Sequence, residues 1–239
     1  MKGIAIQLGL AIALVLPLTA QQKAEQPPIM LPTGSALVLE VKGKASVTPS
    51  QGASAKAQRG MVLSAETSIQ TDKGSLILLL ADGSQVLVKS KTHVVLKSPD
   101  NSDGRFLQMF LGEILAVIKK RLGETPPFRM GTPSAVITVR GTRFSVRVDK
   151  KGRTTVQVFE GIVEVEGLGE KPRAVLVEPR YQTEVDPGKQ PQLPQQINQL
   201  GMTGFGQQAP GVGQPGLGQR PSTGQQQPSG SEKPEGPDD

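Results

Sequence analysis

Residues 132–166 read TPSAVITVRGTRFSVRVDKKGRTTVQVFEGIVEVE, and the spacing of their apolar side chains decides the fold. Phe144, Val146 and Val148 lie on one face of an extended segment, and Arg143, Ser145 and Arg147 on the other. Such alternation marks a half-buried strand, because successive side chains point to opposite faces. Asp149-Lys150-Lys151-Gly152-Arg153 supplies a charged turn, after which Val156 and Val158 resume the pattern. Glu160-Gly161 interrupts again, and Val163 and Val165 open a third strand. The expectation is two hairpins in succession, a meander.

The phase of the pattern changes once inside this stretch. Ile137 and Val139 are odd-numbered, whereas Phe144, Val146 and Val148 are even. A one-residue shift sends side chains to the opposite face of a sheet, so Arg140-Gly141-Thr142 must form a bulge or corner. Glycine suits the position because it takes positive φ at little steric cost.

Composition narrows the class of protein. Of 239 residues 36% are hydrophobic and 3% aromatic, with no Trp and one Tyr, so a core must be built from Val, Ile and Leu. No cysteine is present, which excludes disulfides, thiolate metal sites and a cysteine nucleophile. The formal charge of +6 belongs to the middle of the chain, where residues 31–187 carry 22 basic and 16 acidic side chains. That balance suits a solvated surface and admits anionic wall polymers as partners.

Outward from the centre, the ends have a different texture. Met1-Lys2, an apolar run over 3–16 and Pro17-Leu18-Thr19-Ala20 have the form of a secretory signal peptide cleaved after Ala20. The alternative is an uncleaved anchor helix, at the short edge of a bilayer span. Residues 21–34 read as a linker. Residues 188–239 are rich in Gln, Pro and Gly, too poor in apolar side chains to offset chain entropy, and are expected to be disordered.

Between the ends the pattern is extended throughout. Leu37, Leu39 and Val41 alternate with Val38, Glu40 and Lys42, Gly43-Lys44 reads as a turn, and residues 45–48 are expected to pair back. A loop over 49–58 follows, then strands at 61–63, 67–71, 75–80 and 84–88, with Asp82-Gly83 as a two-residue hairpin. Leu76–Leu80 is unbroken apolar, as in a strand covered on both faces. Two more strands are expected at 173–177 and 180–185. The fold class is all-β: an antiparallel sandwich, a roll or a short β-solenoid.

The pattern TP-x-A-V-x-x-V-R-G-T-x-F-x-V followed by TTV-x-V-x-EG-x-V-E-V resembles the core of a FecR domain, and residues 35–187 fit as a whole. Gly60-Met61-Val62-Leu63, Ile69-Gln70-Thr71 and Ala81-Asp82-Gly83-Ser84 resemble that family's earlier hairpins. The family is named after the iron-dicitrate sensor and transmembrane anti-sigma regulator of bacteria. The resemblance implies an extracytoplasmic, non-enzymatic β domain and names no ligand. It also favours strands at 106–111 and 114–118, split by a Gly112-Glu113 turn, over the helix that the spacing of Phe106, Met109, Phe110, Ile114 and Val117 would allow. Gly141, Thr142, Phe144, Val146, Glu160 and Gly161 are its structural motif.

No catalytic constellation emerges. His93 is the one histidine and has no partner with which to share a metal. Glu160, Glu164 and Asp82 fall in turns or on strand faces, with nothing to fix a facing pair. No enzyme activity, cofactor or metal is expected. Arg140, Arg143 and Arg147 are the candidate binding residues, forming a short positive ladder beside Lys150, Lys151 and Arg153; the plainer reading is a solvated face paired with Glu160 or Glu164. Nucleic acid is not expected, because no aromatics interleave with these charges. The expected role is a binding or scaffolding module in the periplasm or outside the cell, meeting an envelope protein or an anionic wall polymer. The alternative implied by the resemblance is signal transduction. Only Met1 and Lys2 precede the apolar run, so such a role is expected to pass through a separate membrane partner.

Overall fold

A computed structural model describes residues 31–98, 104–120 and 126–197. Every regular element among them is a β-strand. In chain order these are β1 (Ala36–Thr48), β2 (Ala55–Lys56), β3 (Val62–Leu63), β4 (Ser68–Leu80), β5 (Gln85–Val88), β6 (His93–Leu96), β7 (Leu107–Val117) and β8 (Phe128–Gly131). They continue as β9 (Ala135–Val139), β10 (Arg143–Val148), β11 (Thr154–Glu160), β12 (Val163–Gly167), β13 (Ala174–Val177), β14 (Tyr181–Val185) and β15 (Gln195–Gln196). The all-β expectation holds. The proposed signal peptide and most of the linker and tail lie outside the described residues.

Strand pairing sorts the elements into two layers. The first runs β3, the first half of β1, the second half of β4, β5, the second half of β7, then β10, β11, β14 and β15. The second runs β2, the second half of β1, the first half of β4, β6, the first half of β7, then β8, β9, β12 and β13. Pairing is antiparallel except between β7 and β8. Inward residues of both layers share one core, with Val38, Leu78, Ile114 and Phe144 from the first and Ile69, Met109, Phe128 and Ile137 from the second. Each such buried side chain contributes about 1.5–3 kcal/mol.

Three strands belong to both layers, and this overturns three expectations, the first being that 67–71 and 75–80 are separate strands: they are the two halves of β4. Residues 106–118 form neither a helix nor a hairpin: β7 continues as one strand, pairing with β6 up to Leu111, with β10 from Gly112 and with β5 from Ile114. Gly112, at φ +100°, is where it bends between layers. A Cβ there would sit 2.3 Å from the Thr92 hydroxyl and 2.6 Å from the Lys91 carbonyl, so glycine serves close approach as well as conformation. Likewise Gly43-Lys44 is a bulge inside β1, which stays paired with β4 on both sides of it.

The meander is also corrected. β10 and β11 do form a hairpin, but β11 goes on to pair with β14 while β12 pairs with β9 and β13. Glu160-Gly161 therefore passes the chain from the first layer to the second instead of folding it back. Gly141 makes the opposite passage, from β9 to β10, as the phase change requires. Asp82-Gly83 does lie in a hairpin turn, but the loop is the three residues Ala81-Asp82-Gly83 and not two: Leu79 stands opposite Gln85, and the Leu80 amide donates to the Ser84 carbonyl at 2.8 Å. In the Leu76–Leu80 run the even residues are buried, but Ile77 and Leu79 on the other face are only half-buried. The sheet extends past Pro187 to Gln196, with Ile197 buried beyond it.

Buried hydroxyls stitch the layers at their bends. The Thr92 amide donates to the Thr71 hydroxyl (2.9 Å) and the Glu113 amide donates to the Thr92 hydroxyl (2.9 Å), tying β4, the β5–β6 link and β7 together. Farther along, the Ser134 hydroxyl donates to Thr154 (2.7 Å), whose own hydroxyl donates to Thr132 (2.8 Å). That chain joins the turn before β9 in the second layer to β11 in the first.

Candidate functional site

The two parts of the motif, distant in sequence, meet in space. A Cβ on Gly161 would lie 2.7 Å from the Gly141 carbonyl oxygen and 2.7 Å from the Thr142 methyl. A Cβ on Gly141, at φ +125°, would lie 2.7 Å from the Lys120 Cα. The Gly141 and Gly161 corners are thus nested against each other and against the chain just after β7. Phe144 and Val146 anchor the outgoing strand in the core. Thr142 is buried at the same junction, and its hydroxyl has no hydrogen-bond partner there. Both corners lack room for a side chain, which gives the glycines of the motif a physical reason.

Around this junction the arginines are distributed rather than converged. Arg140 follows β9 and is exposed, on the far side of the Gly141 corner from the other two. Arg143 and Arg147 share the outer face of β10 but stand about 13 Å apart along it. Arg143 reaches Glu160 at 3.5 Å and lies over the Phe159 ring, 5.7 Å from its centre. Arg147 donates from Nε (3.0 Å) and Nη2 (2.8 Å) to the Glu113 carboxylate. Lys89 donates to the other Glu113 oxygen at 2.6 Å. Glu113 is largely shielded between its two cations, forming an ion chain across β5, β7 and β10.

The sequence does not reveal Glu113 as an arginine partner, because Gly112-Glu113 there reads as a turn. Only when β7 is one strand does Glu113 come opposite Arg147. Glu164, the other acid considered as an arginine partner, instead lies opposite Leu176 and Thr138 and is exposed. Arg153 is held by Asp186 at 2.7 Å and Glu184 at 3.5 Å. The hydrogen bonds from Arg153 and then Lys189 hold the Asp186 carboxyl below its usual range, and the same pairing raises Arg153.

His93 is half-buried, within 3.0 Å of the Ser68 hydroxyl and stacked on Phe110 at 4.9 Å. Burial lowers its pKa from the ordinary imidazole value. Among the described residues no group of His, Asp or Glu is arranged to hold a metal ion, and no helix is long and apolar enough to cross a membrane.

The nested corners fall within a recognised family. The protein-family model described as "FecR protein" matches residues 67–164, which identifies that stretch as a FecR domain. Two crystal structures of a candidate anti-sigma factor from Parabacteroides distasonis are similar to the chain at 23% identity, with a TM-score of 0.45. The similar region covers 55% of this chain and 60% of that one. No curated protein matches the sequence.

Proposed function

We propose that this chain is a regulatory component of extracytoplasmic signalling that works by contact with a protein partner and makes or breaks no bonds. The observation that supports it best is the FecR domain over residues 67–164, a family to which the iron-dicitrate signalling regulator belongs. The form of the first 20 residues, that of a removable signal peptide, supports a location in the periplasm or outside the cell. In this reading the nested corners fix the frame, and the exposed side chains of the outer faces meet the partner. Arg147, with 65% of its side chain exposed although paired with Glu113, and the exposed Arg140 are the motif cations offered for contact.

The test is transcriptional. Removing the gene from its host should shift a discrete set of transcripts, and returning the full chain should restore them. An unchanged transcriptome would overturn signalling. The module would then be a scaffold, and retention of the purified chain on anionic wall polymer, lost in an Arg140→Ala/Arg147→Ala double variant, would identify what it holds.

A further inference from the structure

The second layer ends on β13, which among the described strands is paired with β12 alone. The register says which of its backbone groups are already used. The Gly167 amide donates to the Arg173 carbonyl at 3.1 Å, so Gly167 and Arg173 form a hydrogen-bonded pair. In an antiparallel ladder such pairs alternate with pairs that make no bonds to each other. Val165 with Val175 and Val163 with Val177 therefore bond across to β12, while Ala174 and Leu176 turn their N–H and C=O groups outward. An unpaired edge of this kind is a template for another strand.

What lies on that edge is self-complementary. Leu176 is 63% exposed, a large aliphatic side chain on the outer face beside the free backbone groups. Two residues earlier on the same face stands the small Ala174, also exposed. Pro172 and Pro179 bracket the strand, and the Glu178 carbonyl is taken by the Tyr181 amide, so the free stretch ends on both sides.

We infer that β13 pairs antiparallel with β13 of a second copy about a two-fold axis at Val175. In that register Ala174 stands opposite Leu176 of the other copy, and the free donors and acceptors of both residues are satisfied by the same groups across the axis. Each leucine lies over the other copy's alanine. The prolines fall outside the paired stretch in both copies at once, so pairing closes as a dimer and does not propagate. A strand this short gives an interface in the weak class, below about 1,200 Å² of total buried surface, and a concentration-dependent dimer. This inference does not depend on the signalling reading.

Sedimentation velocity of the full chain from micromolar to millimolar concentration should show the coefficient rising toward that of a dimer. Leu176→Pro removes a donor that β12 does not use, so the variant should keep its far-ultraviolet spectrum and melting temperature yet remain a monomer. The chain has no cysteine, so single cysteines report the register. A mixture of Ala174→Cys and Leu176→Cys proteins should form mixed disulfide dimers several-fold more than either protein alone. A wild-type monomer at millimolar concentration, a Leu176→Pro chain that associates like wild type, or cross-linking equal in the mixture and in the separate proteins would each overturn the inference.

Discussion

The N-terminal and C-terminal halves of the domain solve the same problem differently. Up to β7 the layers are joined by long strands that run through both, at the Gly43-Lys44, Asp72–Gly74 and Gly112 bends of β1, β4 and β7, with the short β2–β3 and β5–β6 links crossing beside them. From β8 onward the chain passes between hairpins, at the Gly141 and Gly161 corners and at Arg180, which takes φ +71°. Through a bent strand the backbone ladder continues in both layers, so the layers cannot shift independently. At a corner the ladder is broken, and close packing of one turn on another must hold the angle. The first half should therefore be rigid about its bends, and the second should depend on how its corners nest.

Substitutions at the bends and corners give the largest expected effects. Gly112→Val should be the most damaging, costing about 4 kcal/mol or preventing folding, because a Cβ meets the Lys91 carbonyl and Thr92 backbone within 2.6 Å and the conformation is left-handed. Gly141→Val should follow at about 3 kcal/mol, its nearest contact being 2.7 Å. Urea unfolding of the two variants ranks them, and a milder Gly112 variant would mean that corners rather than bends hold the layers. Thr154→Val strands the Ser134 hydroxyl without its acceptor and should cost about 1–3 kcal/mol. A neutral result there would show that the hydroxyl chain adds nothing to holding the two layers together in the second half.

Protonation should produce the smallest effect. Burial lowers the His93 pKa, so the unfolded chain binds this proton more readily than the folded one. The stability that comes from a neutral His93 is complete above the unfolded value near 6.5 and declines as pH falls from there toward the lowered folded value. Melting temperatures at about pH 8 and about pH 5 should fall more for wild type than for His93→Gln. Asp186 acts in a separate, more acidic window: its pKa is also lowered, so the stability it gives is present above the ordinary carboxylate range and lost as pH drops through the folded value.

Much of this was legible in the sequence, and the misses share one cause. The phase change at Gly141 announced a corner because Ile137 and Val139 are odd-numbered while Phe144 and Val146 are even. The same signal stands in β7, where Leu107 and Met109 are buried before Gly112 and Ile114 and Ala116 after it. A glycine at a phase change says that the chain alters its face. It does not say whether the strand turns back, bends on or crosses over, because those outcomes differ only in which distant strand is waiting. Hence Gly112-Glu113 and Gly43-Lys44 read as turns, and Glu160-Gly161 as a hairpin. The candidate site suffered in consequence: Arg143 beside Glu160 was foreseeable, but Arg147 on Glu113 depends on β7 running through.

The claim beneath the whole account is that the motif glycines set the architecture and the arginines beside them belong to the surface. Paired unfolding curves of Gly141→Val and Arg143→Ala test it most directly. The account predicts a loss of about 3 kcal/mol for the glycine variant and no more than about 0.5 kcal/mol for the arginine variant, whose partner Glu160 is solvent-exposed. A larger loss for Arg143→Ala than for Gly141→Val would contradict it.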